Sequence, residues 1–353
     1  MKINHNSIEN SYIKTLDGFR AIAILMVMFS HMLTIPKIQN FFPISEFGGK
    51  GVSIFFVISG FIITLHLIND LNTKGISLKD FYLKRFFRLM PSSLLYLIFL
   101  ICLSLMGWIK ISQLEIFASI FSFRNYIPSV EWDRTAFFWS LSIEEHFYLL
   151  LPSFIIFFKK NRRYIMGLFI ACILVAIWRK LLSNNFLNLS YSDWYTFCRI
   201  DGLIYGSILS YFYYFHRNKI LLLKKYFINY IFLILLLLLW WHPIPFYKSL
   251  ESIFIALIIL STILHEKNIL HIILETKFFK FFGKISYSLY LWNVLFIYNM
   301  PMAPDWIQLI TGKWYSVFFA IALSYLNFKF IENPFRKLYK NLTNMENSSI
   351  RIK

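Results

Sequence analysis

Residues 51–69 read GVSIFFVISGFIITLHLIN, an apolar run that contains no Asp, Glu, Lys or Arg. A helix needs about 20 such residues to cross the hydrocarbon core of a bilayer, which is about 30 Å thick. Similar blocks recur along the chain, of which 58% is hydrophobic. Backbone groups cannot face lipid unpaired, and barrel strands are shorter and alternate in polarity. The sequence therefore predicts an all-α, polytopic integral membrane bundle.

The apolar blocks predict about ten transmembrane helices, with bounds accurate to a few residues. They cover approximately 17–35, 51–69, 89–109, 137–158, 164–182, 200–215, 226–241, 250–265, 285–300 and 315–331. The sixth block is short and the fourth carries charged residues.

The distribution of basic residues predicts the orientation in the membrane. Most of the 36 Lys and Arg residues fall in alternate loops and in the two terminal segments. Basic loops remain on the cytoplasmic side, so both termini are expected to be cytoplasmic. We expect a single transmembrane domain over 1–340 and a short polar cytoplasmic tail over 341–353, with no second catalytic module. The first block contains Asp17 and Arg20 and lacks a cleavage site, so we do not expect a cleaved signal peptide.

The net charge of +18 does not indicate a nucleic-acid partner, because the basic residues lie in short loops between apolar blocks. The three cysteines are dispersed and predict neither a disulfide framework nor a metal site. Walker, dinucleotide-binding, zinc-protease and nucleophile-elbow motifs are absent from the sequence. The chemistry is therefore expected from ionisable residues inside the predicted spans, where such residues are costly and usually functional.

The first span, which begins LDGFRAIAI at residues 16–24, carries Arg20 near its cytoplasmic end and His31 deep toward the outer side. At 3.6 residues per turn the two side chains share one helix face and are separated by about 16 Å along the axis. Asp17 lies three residues before Arg20 and is placed to pair with it. An imidazole is suited to proton transfer at neutral pH, so His31 is a candidate catalytic base. The alternative is a structural histidine hydrogen-bonded between helices.

The third span is preceded by KRFFR at residues 84–88. Arg85 and Arg88 lie three residues apart on one face and, with Arg20, are candidates for binding phosphate groups. The alternative is ordinary anchoring by basic residues on the cytoplasmic side.

The fourth span reads FWSLSIEEHFY at residues 138–148 and places two adjacent carboxylates in an apolar helix. The depth predicted for Glu144 is compatible with a direct contact to His31 that would orient the imidazole. The alternative is that Glu144 and Glu145 are structural acids bonded to Tyr or Arg.

Three further polar residues are candidates for binding an acceptor. Arg199 and Asp201 open the sixth span at the predicted outer boundary, where they could instead form a snorkelling ion pair. Asn293 lies near the predicted midplane of the ninth span and should be hydrogen-bonded. The Gly and Ser residues of the second span favour close helix packing.

Taken together, these segments resemble the acyltransferase 3 family of membrane O-acyltransferases. The resemblance includes the spacing of Arg20 and His31, the Arg85–Arg88 pair and the Glu144 segment. It also includes SYSLYL at residues 286–291 and Glu332-Asn333-Pro334, and it runs from about residue 12 to 337.

The resemblance implies transfer of an acyl group, most often acetyl, from cytoplasmic acyl-CoA to a hydroxyl of a cell-surface polysaccharide or lipid-linked sugar. It implies a multi-pass location in the cytoplasmic (inner) membrane of a bacterium. Arg20, Arg85 and Arg88 would hold the phosphates of the donor. His31 would deprotonate the acceptor or carry the acyl group, and Glu144 would orient His31. No metal is expected.

The sequence leaves the acceptor open among lipopolysaccharide O-antigen, capsule, exopolysaccharide and other glycans. Two departures from the family concern the site, because the family often has Asp where Ser53 stands and His where Asn293 stands. Two other functions remain open. A transporter or flippase of a sugar lipid predicts an internal repeat and broken helices, and neither is evident in the sequence. A non-catalytic partner in envelope glycan assembly predicts that changing His31 has no effect.

Overall fold

The computed structural model describes residues 12–32, 47–128, 133–158, 163–183, 194–217, 219–220, 228–242, 244, 246–264 and 268–350. Within these ranges the regular structure is helical and contains no β-strand, which confirms the predicted all-α class. Of the predicted tail, residues 351–353 lie outside the described part.

The helices, numbered in chain order, fall into an earlier and a later set. The first set is α1 (Lys14–Met32), α2 (Phe47–Thr73), α3 (Leu78–Leu105), α4 (Gln113–Ile120), α5 (Phe138–Phe157), α6 (Tyr164–Ser183), α7 (Thr196–Arg199) and α8 (Asp201–Phe215). The second set is α9 (Ile228–Trp241), α10 (Tyr247–Leu264), α11 (Ile269–Leu274), α12 (Lys277–Ile297), α13 (Asp305–Ile310), α14 (Ser316–Asn327) and α15 (Asn333–Ile350).

Six of the described helices are long and apolar enough to cross a membrane by length and composition. They are Lys14–Met32, Phe47–Thr73, Leu78–Leu105, Phe138–Phe157, Tyr164–Leu182 and Tyr247–Leu264. The other predicted spans correspond to α8, α9, α12 and α14. Of these, α9 is apolar but short. The first eight residues of α12, KFFKFFGK, include three lysines. The count of ten and the orientation of the termini stay predictions.

The third span begins earlier than its apolar pattern indicates. The side chain of Ser77 accepts a hydrogen bond from the backbone N–H of Asp80 and caps α3. The basic segment at 84–88 is therefore helical, and Pro91 lies inside the helix instead of at its start.

The chain divides into two compact units. The first comprises Met1–Met26, Gly49–Ile76 and Phe138–Lys284, and the second comprises Val27–Gly48, Ser77–Phe137 and Ile285–Lys353. The predicted domain bounds are not tested by this division and stay a prediction.

Within the first unit, α2 and α8 cross at two glycines. A Cβ atom at Gly60 would overlap the backbone carbonyl of Leu203, and one at Gly206 would overlap that of Val57. Small residues allow this close approach of two helices. The close packing predicted for the second span is therefore confirmed.

Within the second unit, a π-helical turn at Phe328–Glu332 joins α14 to α15. The first half of α3 packs against α15, where the ring of Phe87 lies 6.5 Å from Phe335 and 6.1 Å from Tyr339, measured between centroids. The hydroxyl of Tyr339 also donates to the carbonyl of Asp80 at 3.2 Å. These contacts hold the basic turn of α3 against the last helix.

Candidate functional site

Arg20 and His31 lie on the same helix, α1, as predicted. Nη1 of Arg20 lies 3.3 Å from Oδ1 of Asp17, which confirms the predicted pair. The hydroxyl of Tyr12 donates to the second oxygen of the same carboxylate. Asp17 is only 4% exposed, so the first turn of α1 holds the arginine through a buried carboxylate.

His31 is hydrogen-bonded to Asn293 within the second unit. Nδ1 of His31 lies 2.6 Å from Oδ1 of Asn293. The amide nitrogen of Asn293 donates to the carbonyls of Leu289 at 2.6 Å and Tyr290 at 2.8 Å. Because carbonyls only accept, these two bonds fix which end of the amide is nitrogen.

The fixed amide determines the tautomer of His31. Its oxygen faces the imidazole and can only accept, so Nδ1 must carry the hydrogen. In the neutral ring Nε2 then carries the lone pair and is the basic nitrogen. Asn293 is fully buried and is hydrogen-bonded, as the sequence predicted, whereas its predicted part in binding the acceptor stays a prediction. Sequence reasoning missed that it orients the imidazole, because pairing across 262 residues is a tertiary feature.

Glu144 on α5 is held by two hydroxyl donors within the first unit. Ser59 donates to Oε1 at 3.0 Å and Tyr148 donates to Oε2 at 2.8 Å. The bond to a tyrosine agrees with the structural alternative. The predicted contact between Glu144 and His31 stays a prediction.

Arg85 and Arg88 lie on α3 in the second unit. The guanidinium carbon of Arg85 lies 5.8 Å from the ring centroid of Phe81. Nε of Arg88 is buried and has no hydrogen-bond partner among the described residues. An unsatisfied buried donor costs free energy, and a bound anion would satisfy it. The phosphate cluster formed by Arg85 and Arg88 with Arg20 stays a prediction.

Two of the segments that carry the resemblance meet in the second unit. The hydroxyl of Ser288 donates to Oε2 of Glu332 at 2.8 Å, and Glu332 also pairs with Arg336. The amide of Asn327 donates to Ser288 at 2.8 Å and to Ser92 at 3.0 Å. These contacts give the Glu332 motif a structural function, because they link α3, α12, α14 and α15.

Arg199 and Asp201 have different partners. Asp201 pairs with Nη2 of Arg179 at 2.7 Å and accepts from the hydroxyl of Ser249 at 2.8 Å. Nη2 of Arg199 instead donates to the hydroxyl of Ser53 at 3.2 Å and to the carbonyl of Gly49 at 3.3 Å. In the described part of the chain the two residues form no ion pair with each other.

Glu251 on α10 is a buried acid that sequence reasoning missed. It is 3% exposed. Its carboxylate accepts from Ser53 at 3.4 Å and from the indole N–H of Trp240 at 3.0 Å. The signal was available, because Glu251 lies inside the predicted span 250–265 and an acid there is costly.

The segment before α5 is held by buried charged residues of the second unit. Arg124 pairs with Asp133 and donates to Thr135 at 3.0 Å. Nη2 of Arg134 donates to the carbonyl of Asn299 at 2.8 Å. Burial lowers the pKa of the Arg134 guanidinium, and the neighbouring Tyr96, Tyr298 and Asp133 oppose that shift.

The family model of the acyltransferase domain, Acyl_transf_3, matches residues 13–327. The O-acetyltransferase OatA of Staphylococcus aureus (strain NCTC 8325) is 28% identical over 365 residues, which are 92% of this chain and 57% of that protein. The peptidoglycan O-acetyltransferase OatA of Listeria monocytogenes is 26% identical over 366 residues, which are 93% of this chain and 56% of that protein.

The chain thus spans less than three fifths of the length of these relatives. No solved structure matches it. The family model covers nearly the whole chain, from the start of α1 to the end of α14, so the chain belongs to the acyltransferase 3 family.

Proposed function

We propose that this protein is a membrane O-acetyltransferase that transfers an acetyl group from cytoplasmic acetyl-CoA to a hydroxyl of a cell-envelope glycan. Membership of the family and the names of the two relatives support an O-acetyltransferase. The Listeria relative is named for peptidoglycan, so a peptidoglycan sugar joins surface polysaccharides and lipid-linked sugars as a candidate acceptor.

The hydrogen bond from His31 to Asn293 is the observation that carries this proposal. It leaves Nε2 as the basic atom of the neutral ring. Nε2 accepts the proton of the acceptor hydroxyl while the hydroxyl oxygen forms a bond to the thioester carbonyl carbon. The carbon–sulfur bond then breaks, and His31 returns the proton to the leaving thiolate.

A two-step route uses the same nitrogen. Nε2 attacks the thioester carbonyl carbon, the carbon–sulfur bond breaks, and coenzyme A leaves as the thiolate. The acceptor hydroxyl then displaces the imidazole from the acetyl group, and the hydroxyl proton passes to the thiolate. Both routes require an Nδ1–H donor to Asn293, so the hydrogen bond supports either one.

Arginine residues supply the binding of the donor in this proposal. Guanidinium groups bind phosphate through two parallel hydrogen bonds. The unsatisfied buried Nε of Arg88 supports an anion at α3. Arg20 lies on the same helix as His31, and their separation of about 16 Å along that helix is comparable with a pantetheine arm. Arg85 and Arg20 are proposed for the same phosphate groups, and Glu144 is proposed to stabilise the imidazolium.

The test compares the envelope glycan of a deletion strain with that of strains complemented by the wild type, by His31→Ala or by His271→Ala. His271 is a half-buried histidine on α11 and serves as the matched control. Ester-linked acetyl is measured by NMR before and after mild alkali, at equal protein levels.

We expect acetyl to be lost in the deletion strain and restored by the wild type and by His271→Ala. Loss of a catalytic base lowers rates by about 100-fold or more, so His31→Ala should restore none. The proposed mechanism is wrong if His31→Ala restores acetylation fully. Purified wild-type protein that consumes no acetyl-CoA with any envelope acceptor would count against the enzyme itself.

A further inference from the structure

One end of the first unit gathers charged and aromatic side chains that the proposed chemistry does not use. They come from the starts of α2, α5 and α10, the end of α9 and the segment that forms α7. The members are Lys50, Ser53, Trp139, Trp194, Arg199, Trp240 and Glu251, and we call them the Arg199 cluster.

Arg199 is buried but only partly satisfied. It is 7% exposed, and its hydrogen bonds to Ser53 and Gly49 both come from Nη2. Nε and Nη1 donate to no group among the described residues. A guanidinium has five N–H donors, so Arg199 retains donors for a planar acid group such as a carboxylate or a phosphate.

Glu251 offers the complementary acceptors. A carboxyl group carries lone pairs on both of its oxygens. One oxygen accepts from Ser53 and the other from Trp240. The remaining lone pairs can accept from hydroxyl groups, so the cluster pairs a strong donor with a strong acceptor.

Flat aromatic surfaces border these charges. The rings of Trp139 and Trp194 are nearly parallel, with centroids 6.1 Å apart and an interplanar angle of 12°. The guanidinium carbon of Arg199 lies 6.0 Å from the ring centroid of Trp139. All three tryptophans of the cluster are half-buried, so part of each indole remains accessible.

The charge around Glu251 is predominantly positive. Arg199, Lys50 and Lys248 all act electrostatically on this single carboxylate. The ammonium of Lys50 also lies 5.0 Å from the ring centroid of Trp240. The neighbouring Asp201 is already neutralised by Arg179. Cations in excess attract a ligand that carries negative charge.

We propose that the Arg199 cluster binds an acidic sugar of the acceptor glycan. Sugars present a flat C–H face that packs on indole rings, and they present hydroxyls that donate to a carboxylate. Arg199 binds the acid group of the sugar, Glu251 accepts from its hydroxyls, and Trp139 and Trp194 pack against its C–H face. This inference rests on the proposed transfer to a glycan and adds the chemical class of the acceptor.

The alternative is that the cluster only links α2, α7 and α10 together. A purely structural cluster would show no preference between an acidic and a neutral sugar. Two tetrasaccharides provide this comparison, since hyaluronan tetrasaccharide carries carboxylates and chitotetraose carries none, while both contain β-linked N-acetylglucosamine.

The experiment uses the full chain in nanodiscs without donor and measures binding by saturation-transfer difference NMR. The variants are Arg199→Lys, Trp139→Phe and Glu251→Gln. The matched controls are Arg163→Lys and Trp314→Phe, whose side chains are exposed and lie outside the cluster. Size-exclusion profiles confirm that each variant is folded, and Trp139→Phe keeps the test decisive if Arg199→Lys fails to fold.

We expect the wild type to bind the acidic tetrasaccharide about tenfold more tightly than the neutral one, because only the acidic sugar forms charged hydrogen bonds with Arg199. Arg199→Lys should reduce this preference, because lysine keeps the charge but cannot bind the acid group through two parallel hydrogen bonds. Trp139→Phe and Glu251→Gln should weaken the binding of both sugars. Both controls should bind like the wild type. Equal binding of the two sugars, or binding that no cluster variant changes, would overturn the proposal.

The two proposals fail separately in this design. If the purified protein acetylates an envelope glycan but neither tetrasaccharide binds, the proposed function stands and the sugar site is wrong. If the acidic sugar binds through the cluster but acetyl-CoA is never consumed, the sugar site stands and the acetyltransferase is wrong.

Discussion

His31 and Asn293 form a hydrogen bond of 2.6 Å between Nδ1 and Oδ1. The carbonyls of Leu289 and Tyr290 hold the asparagine amide in one orientation. The basic nitrogen of His31 is therefore selected by a neighbouring helix, α12, and not by His31 itself.

Asn293→Ala should lower kcat for acetyl transfer about 10–100-fold. The imidazole loses the hydrogen bond that selects its Nδ1–H tautomer and fixes its orientation. The KM for acetyl-CoA should change little, since Asn293 does not reach the donor in the proposed chemistry. Asn293→Asp should recover most of the rate, because its carboxylate still accepts from Nδ1. Steady-state kinetics of the purified variants measures both constants. Equal losses in Asn293→Ala and Asn293→Asp would indicate a packing role instead.

Arg88→Lys should raise the KM for acetyl-CoA about tenfold with a smaller effect on kcat, because an ammonium cannot reproduce bidentate phosphate binding. Acetyl-dephospho-CoA, which lacks the 3′-phosphate but keeps the diphosphate, shows which of these groups Arg88 binds. If Arg88 binds that phosphate, the wild type discriminates between the two donors and the variant does not. Arg163→Lys, at an exposed arginine, is the control. An unchanged KM in Arg88→Lys would remove Arg88 from the donor site.

Glu332 and Arg336 should be energetically coupled. Glu332 is 1% exposed and also accepts from Ser288, so its loss leaves a buried polar group unpaired. A double-mutant cycle of Glu332→Gln and Arg336→Gln should give a coupling energy of about 1–3 kcal/mol by thermal unfolding in detergent.

The exposed pair of Asp70 and Lys74 has the same spacing and a distance of 3.5 Å. It provides the control, with an expected coupling of about 0–0.5 kcal/mol because solvent screens it. Similar couplings for the two pairs would mean that burial adds nothing to the Glu332 pair.

Both termini are predicted to be cytoplasmic. A green fluorescent protein fused after residue 353 should fluoresce, and alkaline phosphatase fused there should be inactive. The same fusions after residue 243, in a predicted outer loop, should give the opposite result. An active phosphatase at residue 353 would refute the cytoplasmic C-terminus. The same result at residues 243 and 353 would refute the three spans predicted between them, and with them the count of ten.

Several local features of the site could be predicted from the sequence. The pair of Asp17 and Arg20 and the shared face of Arg20 and His31 follow from helical spacing alone. The start of α3 at Leu78 could not be predicted from hydropathy, because the apolar block begins only at about residue 89. The helix starts earlier, where Ser77 caps it, and its first turns are basic.

Contacts between distant segments could not be predicted from one sequence. Ser53 and Glu251 are 198 residues apart, and only the packing of α2 with α10 brings them together. Ser53 departs from the family pattern, because the family often has an acid at this position. In this chain a carboxylate from α10 reaches the Ser53 hydroxyl instead.

The crossing of α2 and α8 should tolerate no side chain at Gly60. An alanine Cβ there would overlap the backbone of Leu203, which cannot move like the end of a flexible side chain. Forced overpacking typically costs about 1–3 kcal/mol, and a clash with backbone lies at the upper end of that range. Gly60→Ala should therefore give little monodisperse protein in fluorescence-detected size exclusion.

Gly49→Ala on the same helix is the control, because nothing lies within 4 Å of the new Cβ, and it should match the wild type. If both variants are equally well folded, α2 and α8 do not approach as closely as described, and the position of Arg199 beside Ser53 would lose its support.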